Sequence, residues 1–253
     1  MCDSKTLLRM PTKYSRSFTL FFLIGFSSIA WCASEQIPVE KDQRVQAQGG
    51  RWSYQQAPHL DPKLPRVLLV GDSILIGYRN MVIRSLECKA CVDTWTNPYY
   101  QSEGYNRRLA EVLTHGPFTV IHINTGLHGF QEGRIPSDSY EPLTQSLVDV
   151  ILRSSPDAQI IWANTTPVIS KDIPRILDIS INPIIVEHNR MAAKVMARNH
   201  ISVNDFYSLL TSHMDLSKGD QFHWTEPAYR ILANTATASI VKKLESAEEG
   251  KSR

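Results

Sequence analysis

Ser73 stands in the run Val70-Gly71-Asp72-Ser73-Ile74, where an apolar stretch gives way to helical spacing. A serine at a helix N-terminus lies among free backbone N–H groups and the positive end of the helix dipole, which stabilise negative charge developing beside it. Ser and Asp are also the usual helix N-caps, so the segment alone reads either way. Far along the chain, Gly219-Asp220-Gln221-Phe222-His223-Trp224 places a carboxylate and an imidazole three residues apart on a turn. Asp220 can then hold one ring nitrogen of His223 while the other faces a nucleophile. A third run, Ile123-Asn124-Thr125-Gly126-Leu127-His128-Gly129, is a Gly-bearing turn after a strand. Its His128 can donate a hydrogen bond where an oxyanion would form, with Asn124 a second donor close by. A tight turn with an incidental histidine is the plainer alternative. His122, within the strand, reads as buried structure satisfied by a neighbour.

Other chemistries lack their residues. The chain has no Gly-x-Ser-x-Gly elbow, no Gly-x-Gly-x-x-Gly and no Walker pattern. Cys88 and Cys91 precede a strand, whereas thioredoxin-type pairs follow one, so they read as free or structurally bridged thiols. No further residues at ligand spacing complete a zinc site around them. Neither a metal nor a cofactor is needed by a serine, a histidine and an aspartate acting together.

Those three residues must be brought together by the elements around them. Val67-Leu68-Leu69-Val70 is a continuous apolar run, the mark of a strand buried on both faces. Similar runs fall at 91–96, 118–124, 158–163 and, weakly, 201–203. Between them, 74–86, 105–113, 142–152, 184–197 and 227–244 carry apolar residues at three- and four-residue steps. Strand and helix thus alternate about five times, which predicts an α/β fold with a parallel sheet and helices on both faces. In such sheets, sites form beyond the carboxyl ends of the strands, where the Ser73 and His128 motifs fall, and Asp220 and His223 come just before the last helix.

The whole chain carries a formal charge of +2, but residues 1–32 hold Lys5, Arg9, Lys13 and Arg16 against Asp3 alone. Beyond them the balance is −1, with no basic stripe for nucleic acid. The four cations precede an uncharged, largely apolar run at 18–31, and Ala30 and Cys32 supply small residues near a cleavage point. This is the layout of a secretory signal, too short to span a bilayer, with an uncleaved anchor as the alternative. The expected organisation is a signal peptide at 1–32, an extended polar lead-in at 33–64, one domain at 65–245 and a polar tail at 246–253. The mature protein would be secreted or periplasmic, with no stable membrane span.

In order and spacing over residues 66–245, the pairing of Gly71-Asp72-Ser73 with Asp220-x-x-His223 resembles the SGNH (GDSL-type) hydrolase family. The resemblance implies a three-layer, flavodoxin-like sandwich and hydrolysis of an ester through an acyl-serine. Ser73 would be the nucleophile, His223 the base and Asp220 its orienter. The family's third block reads Gly-x-Asn-Asp, and here the aligned residues are Gly126-Leu127-His128-Gly129, so His128 would stand in for the oxyanion-binding Asn. The family's second-block Gly corresponds to Gly104. A small ester, such as an O-acetyl group on a carbohydrate, would be the substrate, with Trp95, Tyr99, Tyr100, Phe130 and Trp224 as aromatics that can stack on a sugar or simply pack. A glycan O-acyltransferase and a non-catalytic glycan-binding module are the alternatives on this scaffold.

Overall fold

The computed structural model describes residues 43–131, 134–136, 138–171, 173 and 175–251; the expected signal segment and residues 33–42 lie outside the described residues. The elements run β1 (Tyr54–Gln55), β2 (Arg66–Gly71), α1 (Ser73–Ser85), β3 (Cys91–Thr96), α2 (Glu103–Leu113), β4 (Val120–Asn124), α3 (Tyr140–Ser154), β5 (Gln159–Ala163), α4 (Asn182–Arg198), β6 (Ser202–Asn204), α5 (Phe206–Thr211) and α6 (Glu226–Lys251). The apolar run at 67–70 is fully buried, and its side chains alternate between two cores. Val67 and Leu69 pack with α1, α5 and α6, while Leu68 and Val70 pack with α2, α3 and α4. The protein is therefore a three-layer α/β sandwich.

The sheet order is β1-β3-β2-β4-β5-β6, parallel throughout except for β1. From β2 the chain crosses to β3 on one side and then returns to β4 on the other. That reversal opens a crevice at the carboxyl ends of β2 and β4, where ligands bind in this class of sheet. The three central strands end level, Gly71 pairing with both Thr96 and Asn124. The segments after β2, β3 and β4 thus leave the sheet at one height.

Two boundaries differ from the sequence expectation. The lead-in does not stay extended to residue 64: from Gln43 it is tied into the domain, and β1 adds a sixth, antiparallel strand at the β3 edge. The cause is a buried carboxylate. Asp93 on β3 is fully buried, and Arg66, the Tyr54 hydroxyl and the Ala57 N–H all donate to it. Val45 is buried in the same core. At the other end α6 continues to Lys251 instead of yielding to a tail near 245, because Glu245, Ser246, Ala247, Glu248 and Glu249 offer no breaker before Gly250.

Cys88 and Cys91 lie between α1 and β3 as expected, and both thiols are free. Cys91 is buried with its sulfur accepting the Asp61 N–H at 3.3 Å, and Cys88 is exposed.

His122 is fully buried, with Nε2 3.1 Å from Asn204 Oδ1 and Tyr78 and Phe206 against its ring. Burial lowers its pKa from 6.5 to about 4. The folded state therefore resists a proton that the unfolded chain accepts, and stability is lost as pH falls from about 6.5 to about 4. The expected loss is at most about 3 kcal/mol. It is measured as a falling urea midpoint across that window, and the slope flattens in His122→Gln if this histidine is its source.

Candidate active site

Ser73 is the first residue of α1 and is half-buried. It is not the N-cap. That place belongs to Asp72, whose Oδ1 accepts the Ile74 N–H at 2.9 Å, leaving the Ser73 hydroxyl without a capping role. The Leu127 N–H, from the turn after β4, lies close enough to the Asp72 carboxyl to favour its charged form. One buried carboxyl thus sits against both the turn that carries Ser73 and the turn that carries His128. Its burial raises its pKa, against the pull of His128, the two N–H donors and His223. The sequence shows Asp72 only as a cap; the second contact depends on two strands that meet across the topological reversal.

Asp220 and His223 lie on a tight loop closed by an antiparallel bridge between Ser217 and Trp224. Asp220 Oδ1 accepts the N–H groups of Phe222 at 3.2 Å and His223 at 2.8 Å, while Oδ2 lies 2.8 Å from His223 Nδ1. Both carboxylate oxygens are occupied, so the imidazole is fixed with Nε2 turned away from Asp220. Desolvation would raise the Asp220 pKa, but the amide and ring of His223 and the Phe222 N–H hold it below the ordinary range.

Tyr229, on the first turns of α6, seats this loop against α1. Its ring packs so closely on Gly77 that a Cβ there would lie 2.2 Å from the ring. Its hydroxyl accepts the Trp224 N–H at 3.4 Å. Gly77 is one helical turn beyond Ser73, and Trp224 is the neighbour of His223. The loop is therefore held at the start of α1, and His223 is near enough to Asp72 to bias its charge.

His128 lies on a short 3-10 turn, Leu127–Gly129, that follows Gly126. Gly126 has φ +137°, and a Cβ there would lie 2.3 Å from Thr165 Oγ1, so the turn needs a glycine on both counts. The turn is fixed through its backbone, by Arg134 Nη1 donating to the His128 carbonyl at 2.8 Å and by the Gly129 N–H donating to the Gly126 carbonyl at 3.0 Å. Desolvation lowers the His128 pKa, opposed by Asp72 and reinforced by Arg134, Arg44 and His223. The imidazole is thus a neutral side chain beside a carboxylate. Asn124, the other donor read from the sequence, spends its amide on the Ala163 and Asn164 carbonyls at 3.3 Å each. Gly104 is the second residue of α2, after the cap Ser102, whose Oγ accepts the Tyr105 N–H at 3.1 Å. Its own N–H is among those a helix leaves without an intrahelical partner, at the same end of the sheet as the other motifs.

The aromatics separate into two groups. Trp95, Tyr99 and Trp224 are buried and serve packing. Phe130 and Tyr100 are half-buried beside the loops, Phe130 stacked on Phe222 at 5.9 Å. Among the described residues no three His, Cys, Asp or Glu side chains group as metal ligands.

By sequence the chain matches no family model and no curated protein. By structure it is similar to a lipase/acylhydrolase from Enterococcus faecalis, with TM-score 0.60 at 19% identity over 70% of this chain and 95% of that one. It is also similar to an acetylxylan esterase from Geobacillus stearothermophilus, with TM-score 0.58 at 14% identity over 71% of this chain and 94% of the other. A third likeness, TM-score 0.57 at 13% identity over 69% and 94%, is to LAE5, an alpha/beta hydrolase enzyme from the metagenome of Lake Arreo, Spain. The fold is that of the SGNH (GDSL-type) hydrolases.

Proposed function

We propose that the protein is an exported serine ester hydrolase acting through an acyl-serine on Ser73. The observation that carries this is the His223–Asp220 pair, fully made at 2.8 Å, on a loop that Tyr229 seats at the N-terminus of α1 where Ser73 is the first residue. His223 Nε2 takes the Ser73 hydroxyl proton as Oγ attacks the ester carbonyl, and Asp220 stabilises the imidazolium. The carbonyl oxygen, now an anion, is held by the Ser73 N–H and the His128 imidazole, with the Gly104 N–H as a further donor. Collapse breaks the bond to the alcohol oxygen, which takes the proton from His223. Water, deprotonated by His223, then releases the acid and restores Ser73. No metal or cofactor enters these steps.

An O-acetylated carbohydrate is the substrate reading supported by the likeness to an acetylxylan esterase and by the half-buried faces of Tyr100 and Phe130. Export rests on the charge and apolar pattern of residues 1–32. The chemistry is tested by treating the chain with a fluorophosphonate and mapping the adduct by mass spectrometry. A single adduct on the Ser73 peptide is expected, lost in His223→Ala. An adduct on another residue, or none on the folded protein, overturns the assignment.

A further inference from the structure

Beside the candidate site lies a groove of about 640 Å³, within the range of small-molecule sites. Its walls are the segment after His128, with Phe130 and Ile135, and the first turns of α4, with Pro183, Ile184 and Met191. His188 completes the wall, its ring stacked on Tyr140 at 3.9 Å. Burial lowers the His188 pKa to about 4, so at neutral pH it adds no charge. Glu187, the acid on the wall, is paired with Arg190 at 2.7 Å. Gln131, Glu187 and His188 are the polar side chains of a lining that is otherwise apolar.

The groove's side of the sheet matters. Ile135 on the groove wall packs in the core shared with α2 and α3, whereas Trp224, next to His223, packs in the core shared with α1 and α6. The leaving alcohol must face His223, which protonates it, so the acyl half of the ester extends away from that side. Phe130 joins the two regions, lining the groove while stacking on Phe222 next to His223.

We infer that this groove binds the acyl chain, and that the substrate carries an unbranched, medium-length apolar acyl group in place of acetyl. The inference rests on the acyl-serine chemistry proposed above and sets aside the O-acetyl substrate in favour of a longer acyl chain. Each methylene that leaves water in the groove contributes up to about a fourfold gain in kcat/KM.

The test compares p-nitrophenyl acetate, butyrate and octanoate with the full chain, alongside acetates of alcohols of increasing chain length. Octanoate is expected to exceed acetate by at least about tenfold in kcat/KM. Ile184→Asp, at a position 39% exposed, and Met191→Trp, which fills the groove, should each lower the octanoate-to-acetate ratio at least about fivefold. Leu152→Glu, at an exposed position near the far end of α3, should leave the ratio unchanged. Acetate cleavage with a flat acyl profile, a ratio unmoved in both groove variants, or a preference that follows the alcohol chain overturns the groove inference alone. No cleavage of any ester by the folded chain removes the hydrolase reading and the inference together.

Discussion

Ser73→Ala is expected to lower kcat for p-nitrophenyl acetate by about 10⁴-fold or more, to the residue of catalysis that binding and oxyanion donors supply alone. That is about 5 kcal/mol or more of transition-state stabilisation. The protein should stay folded, and the reason is local. Asp72, not Ser73, caps α1, so removing the Ser73 hydroxyl leaves the cap intact. Alanine at a first helical position is well tolerated, and the melting temperature should move by no more than about 2 °C. Rate and melting curve together separate chemistry from structure. An unchanged rate would dismiss Ser73 as the nucleophile, and a rate that falls in step with stability would return it to a structural role. If Ser73 had been the cap, both quantities would fall, which is why the assignment of the cap decides how the variant is read.

The strands and helices were legible because burial on both faces makes parallel strands continuous apolar runs. The run at 91–96 coincides with β3 to the residue, and 74–86 lies within one residue of α1 at each end. The Asp220–His223 contact was legible too, since a spacing of three on a turn lets a carboxylate reach an imidazole without help from the rest of the fold. What stayed hidden depends on long-range partners. β1 has two residues and is held where buried Asp93, ion-paired with Arg66 on β2, takes further hydrogen bonds from Tyr54 and Ala57 of the lead-in, a need no local pattern displays. Tyr229 reads as one more apolar position on the α6 stripe, and only its partners reveal that it seats the His223 loop on Gly77. Of the five aromatics that the sequence leaves open between stacking on a sugar and packing, three serve packing, because a buried tryptophan and an exposed one are written alike in sequence.

The oxyanion is where the chain departs most from the SGNH pattern it resembles, and where the second large effect is expected. The turn after β4 offers His128 where the SGNH pattern has an asparagine, and Asn124 cannot replace it because its amide is bound to the ends of β5. With its pKa lowered by burial, the His128 ring is neutral and carries one N–H, a donor of fixed charge whose value rises as the carbonyl oxygen becomes an anion. His128→Ala is therefore expected to reduce kcat by about 10²- to 10³-fold, with KM changed less than about threefold, since the interaction strengthens only in the transition state. The turn should survive, because its backbone is held by Arg134 on the His128 carbonyl and by the Gly129 N–H on the Gly126 carbonyl, and not by the ring. His128→Asn, which restores an amide donor, should recover most of the lost rate. That recovery is the decisive arm: a residue that merely packs would be rescued by volume, with His128→Leu as effective as His128→Asn, whereas a hydrogen-bond donor is rescued by the amide alone. A kcat unmoved in His128→Ala, or a loss carried wholly by KM, would leave the oxyanion to the Ser73 and Gly104 N–H groups.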